Sequence, residues 1–363
     1  MIKVLIPTKP DDPDAIYVKF ALEKKGHECV IWYTADYPQQ QTHSFELFEK
    51  NIRWNVRGVD LHMDNPHFDV VWLRRPRKPA LPDIIHQDDI ENAKNENMTF
   101  FKSLWRVIAP DAFWVNPIDK VNAANCKLLQ LKIAMETGFN VPDTLFSNDP
   151  QRIRQFINGY YNKDVIYKTL YPVIWMGGDE VRLTYTNEIR IEDLPSDYLL
   201  QSTPGIYQHK ISKDYELRVT YFGNHVSAVK IKSQEHSRGK LDWRYIPTHE
   251  LVIEPYTLPE EIDTKCRLLL KKMGLVMGCF DFIVTPDQEY YFLEINEQGQ
   301  FFWIEELCPE INLLDAFTDF LISGTEDFNY RKQQHPILLR DFKTRVISLR
   351  ENAISRHIKP EIF

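Results

Sequence analysis

Cysteine is scarce in this chain of 363 residues, and no two cysteines have the spacing of a metal-binding pair. The five thiols lie at positions 29, 126, 266, 279 and 308. An odd number of scattered cysteines indicates neither a disulfide framework nor a structural zinc site. We therefore expect the protein to reside in the reducing cytoplasm.

Long apolar runs and an excess of positive charge are also missing. No run is long enough to span a membrane, and the apolar run after Met1 breaks at Pro7, too early for a signal peptide. The formal net charge is −8, which argues against a nucleic-acid partner. We expect neither a membrane nor a nucleic acid to be bound. The length allows two or three domains.

The N-terminal region predicts a parallel α/β unit. Residues 2–6 and 29–33 are apolar runs typical of buried strands, and a helix between them starts near Pro13 and ends near Gly26. Strand, helix and strand in this order favour a parallel sheet. The turn after the first strand lacks the glycine pattern of a dinucleotide site, so we expect the nucleotide to bind elsewhere.

A further strand is predicted over residues 68–76, and it ends in Arg74 and Arg75. Ligands of open α/β sheets usually bind at the carboxyl ends of the strands. The two arginines therefore mark either a ligand-binding edge or a solvated strand end. A helix over 88–106 and a strand over 113–115 complete this region.

Two lysines of the middle region are candidates for binding phosphate. Lys127 falls within a helix predicted over residues 119–138, and Lys168 ends a strand predicted over 165–168. A solvated surface charge is the simpler interpretation of either lysine. At the end of an apolar strand we favour a functional role for Lys168, whereas both interpretations of Lys127 stay open. A glycine turn at 177–178 could bring backbone N–H groups to phosphate, although without further context we favour a plain hairpin turn.

The predicted strand over residues 215–222 alternates cleanly, so Glu216, Arg218 and Thr220 share one face. Acid and base alternating on a strand face usually form a surface ion-pair stripe. A polar, basic loop follows and contains Arg244, and such loops are more often plain surface than a site. Either segment is a candidate for a functional site only in combination with the other elements of the chain.

A β-hairpin is predicted where two apolar runs, 278–284 and 290–296, flank a Pro-Asp turn. Glu294 and Asn296 are two residues apart on the second strand and point to the same face. Asp281 lies on the first strand and can pair beside them. Two carboxylates and an amide on a hairpin suit Mg²⁺, which also takes oxygens from bound phosphates. An exposed polar face is the alternative.

Taken in order, these elements resemble the ATP-grasp ligases over residues 115–325. The resemblance implies an α/β (α+β) ATP-grasp fold with an N-terminal parallel α/β pre-ATP-grasp domain. It predicts a pre-ATP-grasp domain at 1–115, a central subdomain at 116–205, a C-terminal subdomain at 206–330, and a partly helical tail at 331–363. The elements that carry it are Lys127, Lys168, Gly177 and Gly178, Gln208 to Ile211, Glu216 to Arg218, Asp281, and Glu294 to Asn296.

Several segments look closer to the ligases that macrocyclise graspetides, such as the microviridin ligases. This likeness implies ester or amide formation between side chains of a ribosomally made precursor peptide, a leader that docks on residues 171–203, and a homodimer. Two departures are Gln208, where many small-molecule ligases carry Glu, and Glu297, where Pro is common. The segments concerned are 71–76, 125–130, 141–144, 215–219, 242–244 and 294–300.

The resemblance also assigns roles to individual residues. ATP would be bound through its phosphates by Lys127 and Lys168, through its adenine by backbone groups of Gln208, His209, Lys210 and Ile211, and through its ribose by Glu216. Mg²⁺ would be held by Asp281, Glu294 and Asn296. The acceptor carboxylate or its acyl phosphate would be bound by Arg218 and Arg244, since Arg binds both groups bidentately.

Other functions are compatible with the same elements. One is a ligase of small molecules or of a protein C-terminus, similar to glutathione synthetase, although segments 242–244 and 298–300 favour peptides. Another is a nucleotide-binding regulator without turnover, which the intact set of candidate metal ligands disfavours. Thr or Ser, giving an ester, and Lys, giving an amide, are equally compatible nucleophiles.

Overall fold

The computed structural model describes residues 1–160, 164–171, 174–177, 180–183 and 186–359. The helices of this part of the chain, apart from short 3₁₀ turns, are α1 (Pro13–Lys24), α2 (Ile90–Leu104), α3 (Ile118–Ala124), α4 (Lys127–Glu136), α5 (Pro150–Gly159), α6 (Asp197–Ser202), α7 (Glu260–Met273), α8 (Phe302–Leu307), α9 (Leu313–Ser323) and α10 (Lys343–Arg356). None of them is both long and apolar enough to cross a membrane.

The strands of the described residues form both parallel and antiparallel sheets. They are β1 (Lys3–Thr8), β2 (Glu28–Tyr33), β3 (Thr42–Phe48), β4 (Asn51–Arg57), β5 (His62–Asp64), β6 (Val70–Trp72), β7 (Phe113–Val115), β8 (Thr144–Ser147), β9 (Val165–Lys168), β10 (Ile174–Gly177), β11 (Glu180–Leu183), β12 (Asn187–Glu188), β13 (Gly205–His209), β14 (Tyr215–Phe222), β15 (His225–Ile231), β16 (Ile253–Tyr256), β17 (Met277–Val284) and β18 (Tyr290–Asn296).

The N-terminal sheet has the order β2-β1-β6-β7, and all of its pairs are parallel, as the sequence predicts. Helix α1 begins as expected, with Pro13 in its first turn and the Asp12 side chain accepting from the N–H of Asp14. The antiparallel sheet β3-β4-β5, which the sequence analysis did not predict, follows β2. The predicted strand at 68–76 is shorter in the structure and ends at Trp72.

The helix predicted over 119–138 is wrong in one respect, because the structure has two helices there. Helix α3 ends at Ala124, and Cys126 has an extended backbone with φ −84° and ψ 101° before α4 begins. The Asn125 side chain donates to the Glu297 carboxylate at 3.0 Å, a contact that competes with a continued helix. As a result Lys127 is the first residue of a helix rather than a mid-helix residue.

The central region contains the antiparallel sheet β12-β9-β13-β8 and the hairpin β10-β11. Gly177 ends β10, and the other residue of the predicted glycine turn, Gly178, lies outside the described residues. Strand β11 ends at Leu183, and residues 184–185 lie outside the described part. Helix α5 is capped by Asp149, whose side chain accepts from the N–H groups of Gln151 and Arg152.

The C-terminal sheet is antiparallel with the order β16-β15-β14-β17-β18. Helix α7 packs on one face of it, and helices α8 and α9 pack on the other, where the core continues into the N-terminal sheet. Strand β14 lies in the middle and is buried at every position. The interpretation of Glu216, Arg218 and Thr220 as a surface stripe is therefore wrong.

The C-terminal segment, predicted as a partly helical tail, packs against the N-terminal domain. It contains helix α10, which packs on α1, and Leu339, Phe342 and Val346 join the core of the N-terminal sheet. Beyond the helix, the buried His357 ring lies 2.6 Å from the Asp36 carboxylate. The segment therefore covers the N-terminal domain.

Candidate active site

The predicted hairpin is formed by β17 and β18, and its register brings the candidate metal ligands together. Asp281 pairs with Glu294, and the Asn296 amide donates to Asp281 Oδ2 at 3.1 Å. The pairing shifts by a bulge directly after Asp281. Three polar side chains therefore converge on one face of a strand pair that is otherwise packed in the core.

Positively charged side chains surround this hairpin. Arg218 is the β14 partner of Asp281, and its Nη1 lies 2.7 Å from Asp281 Oδ2. Lys127 Nζ lies 3.6 Å from Glu294 Oε2. Lys168 and Arg244 both act electrostatically on Glu294. We call the seven residues of this group the open cluster: Lys127, Lys168, Arg218, Arg244, Asp281, Glu294 and Asn296.

The charges of the open cluster depend on each other. Burial alone raises the pKa of Glu294, but the nearby Lys127 and Lys168 outweigh it and hold that pKa below its ordinary value. Burial lowers the pKa of Lys168 to about 8, although Glu294 opposes the shift. Burial raises the pKa of Asp281, with Arg218 opposing. At neutral pH Lys168 is therefore still protonated and faces a carboxylate.

Lys168 also contacts a buried amide. Its Nζ donates to Gln208 Oε1 at 2.9 Å, and Gln208 Nε2 donates to Thr144 Oγ1 at 2.8 Å. Gln208 is only 3% exposed. These hydrogen bonds give the Lys168 ammonium group a neutral partner in Gln208. A Glu at position 208 would have placed a second full negative charge beside it, in addition to that of Glu294.

The segment after Gln208 is held mainly by its backbone. The N–H of His209 donates to Asp143 O at 2.9 Å, and the N–H of Lys210 donates to Asp164 O at 2.7 Å. The His209 ring stacks on Tyr160, with the ring centroids 4.4 Å apart. The side chain of Lys210 pairs with Glu188 at 3.0 Å. These contacts fix the strand end that leads to Ile211.

Glu216 is a buried carboxylate held by a lysine that the sequence analysis missed. Lys213 Nζ lies 2.7 Å from Glu216 Oε1 and donates to the carbonyl of Leu241 at 3.0 Å. Burial raises the pKa of Glu216, and Lys213 opposes that shift. The only signal in the sequence was the spacing of three residues between the two charges. Lys213 thereby ties β14 to the loop that carries Arg244.

Arg244 stands at the edge of this region. Its Nε and Nη2 donate to the two oxygens of Asp242 at 2.8 and 2.6 Å, while half of the Arg244 side chain is exposed. Trp243, next to it in the chain, packs against Trp303 with ring centroids 5.1 Å apart. Asp242 therefore orients an arginine whose Nη1 it does not engage.

Two side-chain amides that the sequence analysis did not single out align the elements of the site. Gln130 pairs with the backbone of Ile295, donating to its carbonyl at 2.9 Å and accepting from its N–H at 3.0 Å. This pair fixes the start of α4, with Lys127, against the strand that carries Glu294. Asn116 similarly joins the end of β7 to the backbone of Met277 and Glu297.

The prediction for Arg74 needs a correction, since neither a ligand-binding edge nor a solvated strand end describes it. The side chain is 1% exposed, its Nη2 lies 2.5 Å from Asp14 Oδ2, and its Nε lies 3.2 Å from Asp12 Oδ2. Its Nη1 donates to the carbonyls of Gln298 and Gly299. We call Arg74, Asp12 and Asp14 the closed cluster. Beside it Arg75 is half-buried.

The donor set of the hairpin can be tested against Mg²⁺. In the part of the chain that the structure describes, no group of three or more His, Cys, Asp or Glu side chains could hold a metal. The hairpin offers two carboxylates and one amide, with Arg218 and Lys127 now balancing the carboxylates. Mg²⁺ is usually bound through one or two carboxylates together with substrate phosphates and water. The residues therefore fit Mg²⁺ in the presence of a bound phosphate chain.

This architecture is the ATP-grasp fold with an N-terminal pre-ATP-grasp domain, as the sequence predicts. The family model of the MvdD pre-ATP-grasp domain matches residues 3–122. Among curated proteins, no significant match to the sequence is found.

Solved structures of ATP-grasp enzymes confirm the resemblance to peptide macrocyclases. A RiPP-associated ATP-grasp ligase from Chryseobacterium gregarium, in complex with ADP and a leader and core peptide, is 26% identical with a TM-score of 0.81, over 91% of this chain and 100% of that one. The macrocyclase MdnC from Microcystis aeruginosa MRC, bound with the precursor peptide MdnA, is 29% identical with a TM-score of 0.77, over 89% and 100%. The macrocyclase MdnB from the same source is 26% identical with a TM-score of 0.75, over 89% and 99%.

Proposed function

We propose that this protein is an ATP-dependent, ADP-forming ligase that joins side chains of a ribosomally made precursor peptide into macrocycles. The observation that carries the proposal is the open cluster, where Lys127 and Lys168 converge on Glu294 directly opposite Asp281. Such a cluster of opposite charges, in a sheet that is otherwise core, suits a phosphate chain with its metal. The likeness to macrocyclases supports a peptide as the substrate.

In the proposed reaction an Asp or Glu carboxylate of the peptide attacks the γ-phosphorus of ATP and releases ADP. A Thr or Ser hydroxyl, or a Lys amine, of the same peptide then attacks the acyl phosphate, and inorganic phosphate leaves. Each new ester or amide removes one water from the mass of the peptide. The protein contributes positioning and charge neutralisation.

We assign the nucleotide-binding roles as the resemblance to ATP-grasp ligases implies. Lys127 and Lys168 bind the phosphates, and backbone groups of the segment Gln208–His209–Lys210–Ile211 meet the adenine. Glu216 accepts from the ribose hydroxyls. Asp281, Glu294 and Asn296 hold Mg²⁺, which when bound neutralises the phosphate charge that grows as the γ-phosphoryl group is transferred.

The two arginines face the acceptor. Arg218 is fixed by Asp281 through Nη1 and by the carbonyl of Gln300 through Nη2, at 2.7 and 3.1 Å. Arg244 is fixed by Asp242 through Nε and Nη2, which leaves Nη1 for a carboxylate or an acyl phosphate. We assign both to the binding of the acceptor carboxylate and its phosphorylated form.

The partners and the setting are part of the proposal. We place the docking of the leader on the region 171–203, which contains β10, β11 and α6. A homodimer in the cytoplasm, and a division of the chain near residues 115, 205 and 330, complete the hypothesis. The surface of α6 supports docking of a peptide, since Tyr198 and Leu199 are 81% and 55% exposed.

Co-expression with a short acidic peptide that carries Thr or Lys, encoded beside this protein, tests the function. We expect the intact mass of the peptide to fall by one or more waters, and mild base to cleave the new bonds only where they are esters. Glu294→Gln should abolish the loss. Asp287→Asn, an exposed carboxylate in the turn of the same hairpin, is the matched control and should retain it.

Three other results would count against the proposal in different ways. An unchanged peptide together with ATP turnover stimulated by free amino acids would indicate a ligase of small molecules. An unchanged peptide without ATP turnover under any acceptor would indicate a nucleotide-binding regulator. Loss of water that survives Glu294→Gln would remove the hairpin from the chemistry.

A further inference from the structure

We propose that Arg74, in the N-terminal domain, is a positioning residue that aligns Arg218 by holding the segment between them. The inference rests on the proposed function, because it assigns Arg218 to the acceptor. The segment consists of residues 298–300, which lie between the end of β18 at Asn296 and the start of α8 at Phe302. We call it the clamp segment.

The clamp segment is held from both sides by arginine side chains. On one side, Arg74 Nη1 donates to the carbonyl of Gln298 at 3.1 Å and also to that of Gly299. On the other, the carbonyl of Gln300 accepts from Arg218 Nη2 at 3.1 Å. Three successive carbonyls are therefore bound by two guanidinium groups, one from β14 and one from the segment that follows β6.

Arg74 is itself rigidly placed. Asp12 and Asp14, at the start of α1, hold its Nε and Nη2 at 3.2 and 2.5 Å. Its guanidinium also lies over the Trp72 ring, 5.4 Å from the centroid. A planar group fixed at three positions keeps its remaining N–H groups in a defined direction. The carbonyls of the clamp segment therefore meet a fixed donor rather than a mobile side chain.

The clamp segment has little freedom of its own. Gly299 has φ +53°, and a Cβ at this position would lie 2.7 Å from Cys279 Sγ and 2.9 Å from Phe301. The Gln300 carbonyl accepts a second hydrogen bond from Trp303 Nε1 at 3.0 Å. The segment packs directly against β17 and has little room to absorb a displacement. We therefore expect a change in the Arg74 side chain to move the Gln300 carbonyl and so to change the orientation in which Arg218 is held.

Arg218 depends on that support. Its side chain is 6% exposed, Nη1 is committed to Asp281, and Nε has no hydrogen-bond partner among the described residues. The Gln300 carbonyl is thus the second of two contacts that fix the guanidinium plane. Loss of it would leave Arg218 bound to Asp281 but free to rotate about that contact.

The first test is the kinetics of Arg74→Lys, since the compact ammonium group of a lysine cannot reproduce the planar fork with which Arg74 meets two carboxylates and two carbonyls together. We expect kcat for peptide-dependent phosphate release to fall about 100-fold, as a misplacement remote from the chemistry can cause, while KM for ATP changes less than about twofold. Arg267→Lys is the matched control, because Arg267 also joins a carboxylate, Asp263, to a carbonyl, that of Asn224. It should leave both constants unchanged.

A double-mutant cycle with Arg218→Lys distinguishes positioning from a general loss of structure. If Arg74 acts through Arg218, the fall in kcat caused by Arg74→Lys should largely disappear in the Arg218→Lys background. Independent, multiplicative losses would overturn the inference. Hydrogen exchange provides a readout without turnover, and we expect the amides of residues 298–303 to exchange faster in Arg74→Lys, but not in Arg267→Lys.

These readouts separate two kinds of failure. If the wild-type protein shows no peptide-dependent ATP turnover, the proposed function fails, and faster exchange at 298–303 still tests the contact. If wild-type turnover is normal and Arg74→Lys changes neither kcat nor the exchange, the role of Arg74 fails while the function stands. Should Arg74→Lys not fold, Asp14→Asn weakens the same anchor and is read out in the same way.

Discussion

The closed and open clusters contain the same kinds of charged groups but differ in what those groups contact. In both clusters an arginine lies beside two carboxylates. In the closed cluster the side chains of Arg74 and Asp12 are 2% and 1% exposed. In the open cluster Lys127 and Glu294 are 36% and 32% exposed and lie 3.6 Å apart.

The difference separates ionic groups that hold the fold from ionic groups kept for a ligand. The charges of the closed cluster face each other and backbone carbonyls, although Arg74 Nε makes no hydrogen bond among the described residues, so an added ligand would have to displace ion pairs that are already formed. The open cluster keeps four cations near three carboxylates when Asp242, the partner of Arg244, is counted, and this excess of positive charge suits an anionic ligand. Exposure and charge balance therefore classify the two sites better than residue type does.

The largest effect is expected when the closed cluster is broken by Asp12→Ala. The Asp12 carboxylate accepts from Thr8 at 2.7 Å and from the N–H of Asp14 at 3.2 Å, besides facing Arg74. Removing one partner of a buried ion pair costs about 3–5 kcal/mol where the other charge is left uncompensated, and because Asp14 still pairs with Arg74 we take the lower end of that range, about 3 kcal/mol. We expect the free energy of unfolding in urea to fall by that amount.

Lys127→Met is the counterpart in the open cluster. Its half-exposed contact with Glu294 should contribute less than about 1 kcal/mol to stability, so urea unfolding should barely change. Asp12→Asn, which keeps an acceptor for the helix N-terminus, isolates the ionic part of the first effect. Equal losses of stability in Asp12→Ala and Lys127→Met would show that the two clusters do not differ as argued.

Arg218→Ala is expected to give the next largest effect, on turnover rather than on binding. Losing one well-placed donor to a developing charge typically lowers kcat about 10²–10³-fold. The dissociation constant for MgATP should stay within a few-fold, because the two lysines remain. Steady-state phosphate release and calorimetric titration measure the two quantities.

The control for that variant is Arg238→Ala, which removes an exposed arginine from the loop that precedes Arg244. It should keep wild-type kcat. Wild-type turnover in Arg218→Ala would remove this residue from the mechanism. A large loss of MgATP affinity would instead make Arg218 part of the nucleotide site.

Local patterns were enough to predict most of the fold and the central hairpin. Alternation predicted β14, and two apolar runs around a Pro-Asp turn predicted the hairpin of β17 and β18, in which the structure pairs Asp281 with Glu294. Helix α1, with its start at Pro13, and the parallel N-terminal sheet could be predicted from local sequence in the same way. These features depend on residues close together in the sequence, where periodicity and turn chemistry dominate.

The features that sequence missed depend on distant contacts. Arg74 was ambiguous because its partners, the α1 carboxylates and the clamp segment, lie about sixty and more than two hundred residues away in sequence. The break before Lys127 depends on Asn125 reaching Glu297, and the alignment of α4 on Gln130 reaching Ile295. A local sequence pattern does not show which distant groups the side chain of a polar residue will contact.

The smallest effect, on affinity alone, concerns the pH dependence of Lys168. Burial lowers the pKa of its ammonium group to about 8, with Glu294 opposing the shift. Below that pH the group is charged and attracts phosphate; above it the proton is lost and the attraction with it. The dissociation constant for MgATP should therefore rise about tenfold for each pH unit above about 8, since one proton is linked to binding. Lys168→Arg stays protonated and should flatten the profile measured by calorimetry, whereas a profile unchanged by Lys168→Arg would assign the titration to another group.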